Sequence, residues 1–227
     1  MSGTVTVVGI GGSTGSGSTT ERAVRIALGA AAERGARTQL IGGPELMLPL
    51  YDAVGAGRCA RARRLVASVA AADGLIIGTP AYHGSVSGMV KNALDYVEDL
   101  RTDERPYFSG RAVGCVVVAR GCQGAGSALA ALRTTVHALR GWPTPLGVTV
   151  NTEPSPFDPG ERLDDPRIRE RLELLGNQVA EFALMHRVGT GESLRGEGPG
   201  RMGGPHPRGV VWWGEEGERG GVGKKGV

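Results

Sequence analysis

Short runs of hydrophobic residues alternate along the chain with longer segments in which hydrophobic residues recur every three or four positions. Continuous aliphatic and β-branched runs are typical of strands buried on both faces, whereas the longer period indicates helices. Strands are predicted at residues 4–10, 37–41, 74–79, 113–119 and 146–150. Helices are predicted at residues 19–34, at 59–72, after Gly88, at 127–140 and from Pro166 onward, where Asp165 is a good N-cap.

This alternation predicts an α/β fold in which a five-stranded parallel sheet is covered by helices on both faces. In open sheets of this kind, ligands bind outside the carboxyl ends of the strands. Three segments follow the first, third and fourth predicted strands and are therefore the candidate binding loops. They are residues 11–20, 80–88 and 120–126.

The character of the chain changes after about Val188. Residues 1–188 are predicted to form one domain, and residues 189–227, which are rich in glycine, proline and charge, are predicted to be a disordered tail. Within that tail only residues 210–213, two valines and two tryptophans, are strongly apolar, and whether they dock on the domain stays open.

Charge and cysteine content narrow the class of protein. The formal charge is +3, from 26 basic and 23 acidic residues that are intermixed, so no basic block predicts a nucleic-acid partner. The three cysteines form no CxxC pair, which favours a reducing compartment. The histidines show no metal-binding spacing. With no signal-peptide pattern and no apolar run of membrane-spanning length, a cytoplasmic protein without metal or membrane partner is expected.

The first loop, "GGSTGSGSTTE", combines glycines with hydroxyl side chains at the start of a predicted helix. Backbone N–H groups and a helix N-terminus suit a phosphate. A P-loop is excluded because no Gly-Lys-Ser/Thr occurs, and the dinucleotide GxGxxG fails because Thr14 stands where the third glycine belongs. A hydroxyl-rich loop without lysine fits the monophosphate of FMN, while a simple flexible turn with an N-cap stays open.

The second loop begins with Thr79, held extended by Pro80. The residues that follow are small, aromatic, polar or glycine, so the loop could lie against a flat heterocycle and bond its edge through the backbone. They are Ala81, Tyr82, His83, Gly84 and Ser85. His83 is a candidate proton donor, with a simple contact role as the alternative. Farther on, Lys91 and Asp95 stand one helical turn apart, as a surface ion pair would.

The third loop, "RGCQGAG", follows the fourth predicted strand and is rich in glycine like the first loop. Gly121 and Gly124 would allow close approach to the other edge of a ring. Cys122 is interpreted as a small packed residue, because no resolving cysteine is near it in sequence.

The stretch "TPAYHGSVSGMVKNALDYV" closely resembles the flavin-loop signature of the NADPH-dependent FMN reductase family, a branch of the flavodoxin-like fold. "LPLYD" at residues 48–52 and the Gly-Ser start of the first loop are similar to that family too, and the resemblance covers about residues 4–188. Three positions depart from its pattern. The family often has an arginine near the position of Gly15, and this chain has none there; Ala81 replaces a frequent glutamate, and Ser87 replaces a frequent proline.

The resemblance implies a flavodoxin-like three-layer sandwich with strand order 2-1-3-4-5 and non-covalently bound FMN, reduced by NADPH or NADH. It implies that Ser13, Ser18 and Thr19 hold the phosphate. It assigns the isoalloxazine ring to Pro80, Ala81, Tyr82, His83, Gly84 and Ser85, with Gly121 and Gly124 beside them. Homodimers or homotetramers are expected, with the helix that carries Lys91 and Asp95 at an interface.

The function predicted from these features is an FMN-dependent NAD(P)H oxidoreductase that passes a hydride to a small acceptor such as free flavin, a quinone or an azo compound. The reaction takes place at flavin N5, so no catalytic side chain is required. Two alternatives stay open, a tailoring oxidoreductase dedicated to one metabolite and a flavodoxin-type electron carrier. Nucleotide preference is also open. Four arginines of one helical region could meet a 2′-phosphate or simply be solvated, namely Arg58, Arg61, Arg63 and Arg64.

Overall fold

The structure is a computed structural model and describes residues 4–55, 57–153, 157, 163 and 165–193. Its centre is a sheet of parallel strands in the order β2-β1-β3-β5-β6, to which β4 adds a short antiparallel strand on β3. The strands are β1 (Thr6–Gly11), β2 (Arg37–Gly42), β3 (Gly74–Tyr82), β4 (Ser85–Val86), β5 (Ala112–Ala119) and β6 (Trp142–Asn151). The predicted α/β class and the order of the five parallel strands are confirmed, and the sixth strand is an addition.

Helices cover both faces of the sheet. They are α1 (Thr19–Glu33), α2 (Ala60–Ala71), α3 (Gly88–Asp95), α4 (Cys122–Ala138) and α5 (Pro166–Ser193), with 3₁₀ turns at Gly43–Leu46 and Tyr96–Leu100. Helices α1 and α5 share one core with the sheet, while α2, α3 and α4 share the other. Successive strand residues point to opposite faces, so Val7 packs in the first core and Val8 in the second, both fully buried.

Two elements begin well before their predicted starts. Helix α4 begins at Cys122, five residues before the predicted start, because its buried positions Ala125, Ala128 and Leu132 recur at helical spacing and packing outweighs the low helix propensity of glycine. Strand β6 begins at Trp142 and not at residue 146. Its first residues include two prolines, which are tolerated because β6 is the edge strand of the sheet.

The last helix begins at Pro166 as predicted and continues to Ser193, past the expected domain boundary at residue 188. The rest of the predicted tail, residues 194–227, lies outside the described residues. Among the helices that the structure describes, none has the length and apolar content needed to cross a membrane.

A buried arginine stabilises the structure at the amino ends of the strands, opposite the candidate binding loops. Arg111 is fully buried, and its guanidinium donates hydrogen bonds to the carbonyls of Ala70 and Ala72 at 2.7 and 2.9 Å and of Tyr107 at 3.0 Å. Burial lowers the pKa of Arg111 to about 10, so the group remains charged at neutral pH. It ties the end of α2 to the segment that leads into β5.

Candidate functional site

The carboxyl ends of β1, β3 and β5 bring the three candidate segments to one edge of the sheet. The backbone N–H of Gly12 donates to the carbonyl of Gly78 at 2.8 Å, which joins the first segment to β3. A Cβ on Gly12 would lie 1.8 Å from Cγ2 of Val90, a contact that no side chain can make. Glycine at this position therefore lets the first segment pack directly on β3 and α3.

The second segment is a β-hairpin, whereas a loop was predicted at residues 80–88. Strand β3 extends through Pro80 and Ala81 to Tyr82, and Tyr82 pairs with Ser85 across a two-residue turn. The turn residues His83 and Gly84 both have positive φ, 53° and 77°, which is the pattern of a type I′ turn. The hairpin projects Tyr82, 60% exposed, beyond the sheet.

Two buried hydroxyls close the base of this hairpin. Oγ1 of Thr79 accepts a hydrogen bond from the backbone N–H of Ser87 at 3.0 Å. Oγ of Ser87 in turn accepts from the N–H of Val90 at 3.3 Å and caps α3. The serine that departs from the family pattern thus supplies a backbone donor, which proline lacks. The end of β3 and the start of α3 are joined by side chains as well as by the chain.

The third segment is shorter than predicted, because α4 begins at Cys122. Gly121 is the N-cap of α4 and has φ 87°. The backbone N–H of Gly121 donates to Oδ1 of Asn151, at the end of β6, at 3.2 Å. Gly124 lies in the first turn of α4, and a Cβ on either glycine would meet no atom within 4 Å. Cys122, predicted to be packed, is an exposed free thiol.

The hairpin and α4 are neighbours. A Cβ on Gly84 would come 3.9 Å from Cβ of Ser127 and meet nothing closer. The hairpin, Gly121 and Gly124 thus border open space at the carboxyl edge of the sheet. The glycines at these positions leave room for a planar ring to approach the backbone. The residues present are compatible with a flavin ring at this edge, and the assignment of individual residues to it stays a prediction.

The first segment turns into α1 through Ser18, whose Oγ accepts from the N–H of Glu21 at 3.3 Å. Ser13 and Thr19 are half-buried beside it. Sequence reasoning missed the second half of this cap. Oε2 of Glu21 accepts from the N–H of Gly17 at 3.2 Å, and Oε1 pairs with Arg25 at 2.8 Å. The signal was present as Ser-Thr-Thr-Glu, the pattern of a capping box, although here the glutamate accepts from the residue before the N-cap Ser18.

The "LPLYD" segment is held by α3. The side chain of Asn92 donates to the carbonyl of Pro49 and accepts from the N–H of Tyr51, both at 2.9 Å. The hydroxyl of Tyr96 also donates to Pro49, at 3.0 Å. These bonds fix the segment beside the helix that follows the hairpin.

The arginines considered for a 2′-phosphate have partners within the chain. Arg58 makes two hydrogen bonds to the carboxylate of Asp99, at 2.7 and 2.8 Å, and stacks over the ring of Tyr51. Those bonds hold the pKa of Asp99 below its usual value. Arg61 donates to the carbonyl of Pro44, and Arg63 donates to the carbonyl of Arg58. Arg64 forms an ion pair with the carboxylate of Glu45.

Lys91 and Asp95 form the expected ion pair on the outer face of α3. Their side chains are 53% and 41% exposed, so the pair contributes little to stability by itself. A role at an interface between subunits stays a prediction.

Sizeable cavities also occur far from the candidate segments. One of about 510 Å³ is lined by Asp73, Arg105 and His186, and one of about 390 Å³ by Trp142 and Phe182. Both lie near the amino ends of the strands, on the edge opposite the hairpin. Among the described residues no group of three or more His, Cys, Asp or Glu side chains is placed to hold a metal ion.

The sequence and fold were compared with known proteins. The family model of NADPH-dependent FMN reductases matches residues 5–154, which include all three candidate segments. The FMN-dependent NADPH-azoreductase of Staphylococcus haemolyticus (strain JCSC1435) is 35% identical over 116 residues, 50% of this chain. This chain spans 58% of the length of that protein.

Solved structures share the fold at lower identity. NAD(P)H:(acceptor) oxidoreductase FerB from Paracoccus denitrificans is 20% identical with a TM-score of 0.57, covering 81% of this chain and 98% of its own. RosB, solved with 8-demethyl-8-formylriboflavin-5′-phosphate, is 13% identical with a TM-score of 0.65, covering 97% of this chain and 99% of its own. At these identities the likeness concerns the fold.

Proposed function

The chain belongs to the NADPH-dependent FMN reductase family, and on that premise we propose that it is an FMN-dependent NAD(P)H oxidoreductase. It binds FMN at the carboxyl edge of the sheet and reduces a small acceptor. The observation that carries the proposal is the hairpin after β3, whose positive-φ turn at His83 and Gly84 and buried base at Thr79 and Ser87 form a rigid support beside open space.

The ring of the flavin would rest against backbone. Pro80, Ala81, Tyr82, His83, Gly84 and Ser85 would border one edge of the ring, with Gly121 and Gly124 at the other. Tyr82 adds an exposed aromatic face that can stack on a ring. Because the hairpin is tied at its base by the Thr79–Ser87 hydrogen bond, its N–H and C=O groups are oriented before a ligand arrives.

The phosphate would lie at the N-terminus of α1. Ser13, Ser18 and Thr19 supply hydroxyls there, and the helix N-terminus favours an anion. Gly12 holds this segment against β3, so the phosphate and ring positions belong to one continuous surface.

FMN, when bound, supplies the hydride-accepting and hydride-donating centre. The protein binds and orients the flavin and leaves one face open to the nicotinamide and then to the acceptor. His83, exposed at the apex of the turn, is the candidate donor of a proton to reduced flavin or acceptor. The proposed acceptors are small, such as an azo compound, a quinone or free flavin.

A second subunit would complete the assembly, as a homodimer or homotetramer in the cytoplasm. The proposal is supported by apolar side chains that stay exposed around the "LPLYD" segment. Met47 is 53% exposed, Leu50 86% and Val54 93%. A cluster of this kind next to α3 is typical of a contact surface.

The test is steady-state oxidation of NADPH and NADH by the purified protein with FMN and with an azo dye or a quinone. Turnover that requires added or bound FMN supports the proposal. A flavodoxin-type carrier would bind FMN and show no turnover with either nucleotide, and that result would contradict the assignment. Turnover with none of the general acceptors but with one metabolite would indicate the dedicated tailoring enzyme.

A further inference from the structure

An acidic residue directly follows the proposed phosphate segment. No basic residue occurs between Gly11 and Thr20, whereas Glu21 follows directly in the first turn of α1. The side chain of Glu21 is only 12% exposed. A carboxylate at a helix N-terminus is favourable by itself, and here it lies in the same first turn of α1 at which a bound anion would be favoured.

The carboxylate of Glu21 is held in place from three sides. Oε2 accepts the N–H of Gly17 at 3.2 Å. Oε1 receives Arg25 at 2.8 Å. Gly11 and Gly42, the last register pair of β1 and β2, lie beneath it, and a Cβ on Gly42 would come 3.5 Å from Oε2. Glycine at both strand ends leaves room for the glutamate.

This arrangement opposes a phosphate in two ways. The N–H of Gly17 already has an acceptor and is not available to a ligand oxygen. The carboxylate also repels a phosphate dianion at short range, and water screens the repulsion little because the group is nearly buried. Arg25 compensates only in part, since its side chain is 64% exposed.

We propose that Glu21 is a specificity-determining residue that limits what the phosphate contributes to flavin binding, so that the site takes riboflavin nearly as well as FMN. The inference rests on the proposed function and concerns the class of flavin. The ring side of the site, at the hairpin, then provides most of the affinity. A flavin held this way exchanges readily.

The test compares dissociation constants of FMN and riboflavin, measured by fluorescence quenching, for the parent and for Glu21→Gln. Glutamine also serves in a capping box, so the helix cap is kept while the charge is removed. FMN affinity should rise on the order of tenfold, because one short-range repulsion is lost. Riboflavin affinity should stay within about twofold. Glu33→Gln, at the exposed end of the same helix, is the matched control and should change neither.

Equal changes for the two flavins, or weaker FMN binding by Glu21→Gln, would overturn the inference and leave Glu21 as a helix cap. The parent alone provides a second measurement that does not depend on how the variant folds. A parent preference for FMN over riboflavin of less than about tenfold supports the inference, and one above about a hundredfold overturns it. If the parent binds neither flavin, the proposed function itself fails.

Discussion

Oγ1 of Thr79 accepts a hydrogen bond from the backbone N–H of Ser87 at 3.0 Å, and both residues are buried. The bond spans the base of the hairpin that we propose as the flavin support. A buried N–H that loses its acceptor costs about 1–3 kcal/mol. The position of the hairpin therefore depends on one side-chain oxygen.

Replacing Thr79 with valine should loosen the hairpin without changing the volume of the core. We expect the free energy of unfolding to fall by about 1–3 kcal/mol and FMN affinity to fall as well, because the hairpin is no longer oriented in advance. Thr79→Ser keeps the hydroxyl and should retain FMN affinity. Urea unfolding and flavin fluorescence quenching measure the two effects. Equal FMN affinity in Thr79→Val and the parent would show that the hairpin is not part of the site.

Replacing Gly84 with valine should reduce FMN affinity more than a purely structural change would. Gly84 has φ 77° and borders open space where the ring would approach. We expect a loss of about tenfold to a hundredfold in affinity, equivalent to one or two hydrogen bonds.

The matched control for Gly84→Val is Gly35→Val. Gly35 also has positive φ, 86°, and a Cβ there would meet no atom within 4 Å, whereas one on Gly84 would meet only Cβ of Ser127, at 3.9 Å. Gly35 lies in the turn between α1 and β2, far from the candidate site. The two variants should lose similar stability in thermal melts because both force a β-branched residue into the left-handed region. If Gly35→Val weakens FMN binding as much as Gly84→Val, backbone strain and not ring contact explains the result.

The flavin recovered from the protein should be FMN or riboflavin and not FAD. The first segment lacks the GxGxxG pattern used for a pyrophosphate, and α1 presents one helix N-terminus. Denaturation followed by chromatography of the released flavin identifies it. Recovery of FAD alone, after reconstitution with an equimolar mixture of flavins, would contradict the assignment of the first segment.

Replacing Arg111 with leucine should be strongly destabilising. The guanidinium donates to the carbonyls of Ala70, Ala72 and Tyr107, and its removal leaves the buried carbonyl of Ala72 and the part-buried carbonyls of Ala70 and Tyr107 without this donor. We expect a loss of about 3 kcal/mol or more in the free energy of unfolding. Arg133→Leu, which removes one bond to a carbonyl from a half-buried side chain, is the milder comparison. A melting temperature of Arg111→Leu equal to that of the parent would refute this role.

The Arg58–Asp99 pair should make stability depend on acid pH. Its hydrogen bonds lower the pKa of Asp99 in the folded state, so its contribution is present above the unfolded pKa, near 4, and is lost as the pH falls through the lower folded value. Asp99→Asn should cost about 1 kcal/mol at pH 7 and less at pH 3. Melting curves of the parent and of Asp99→Asn at pH 7 and pH 3 measure this difference. A cost that is the same at both would assign the effect to packing and not to charge.

Much of the fold followed from local pattern. Continuous hydrophobic runs predicted the five parallel strands, since strands buried on both faces leave little room for polar residues. Helix starts at Thr19 and Pro166 were correct because N-cap chemistry is local to a few residues. The resemblance of residues 79–97 to a flavin loop needed only consecutive residues, and the family match to residues 5–154 agrees with it.

Tertiary structure decided what depends on neighbours far along the chain. Strand β6 begins before residue 146 because it is the edge of the sheet, where its prolines are tolerated. Helix α4 begins early because packing on the sheet outweighs the low helix propensity of glycine. The arginines near residue 60 could not be assigned partners from the sequence, and in the structure Arg58 pairs with Asp99, 41 residues away. Glu21 directly follows the first segment in sequence. The sequence does not show that its carboxylate packs over Gly11 and Gly42, because these two glycines become neighbours only when β1 and β2 pair. The period of hydrophobic residues in the sequence predicts which side chains are buried. Which residue pairs with each charged side chain depends on how the helices and strands that carry them pack together.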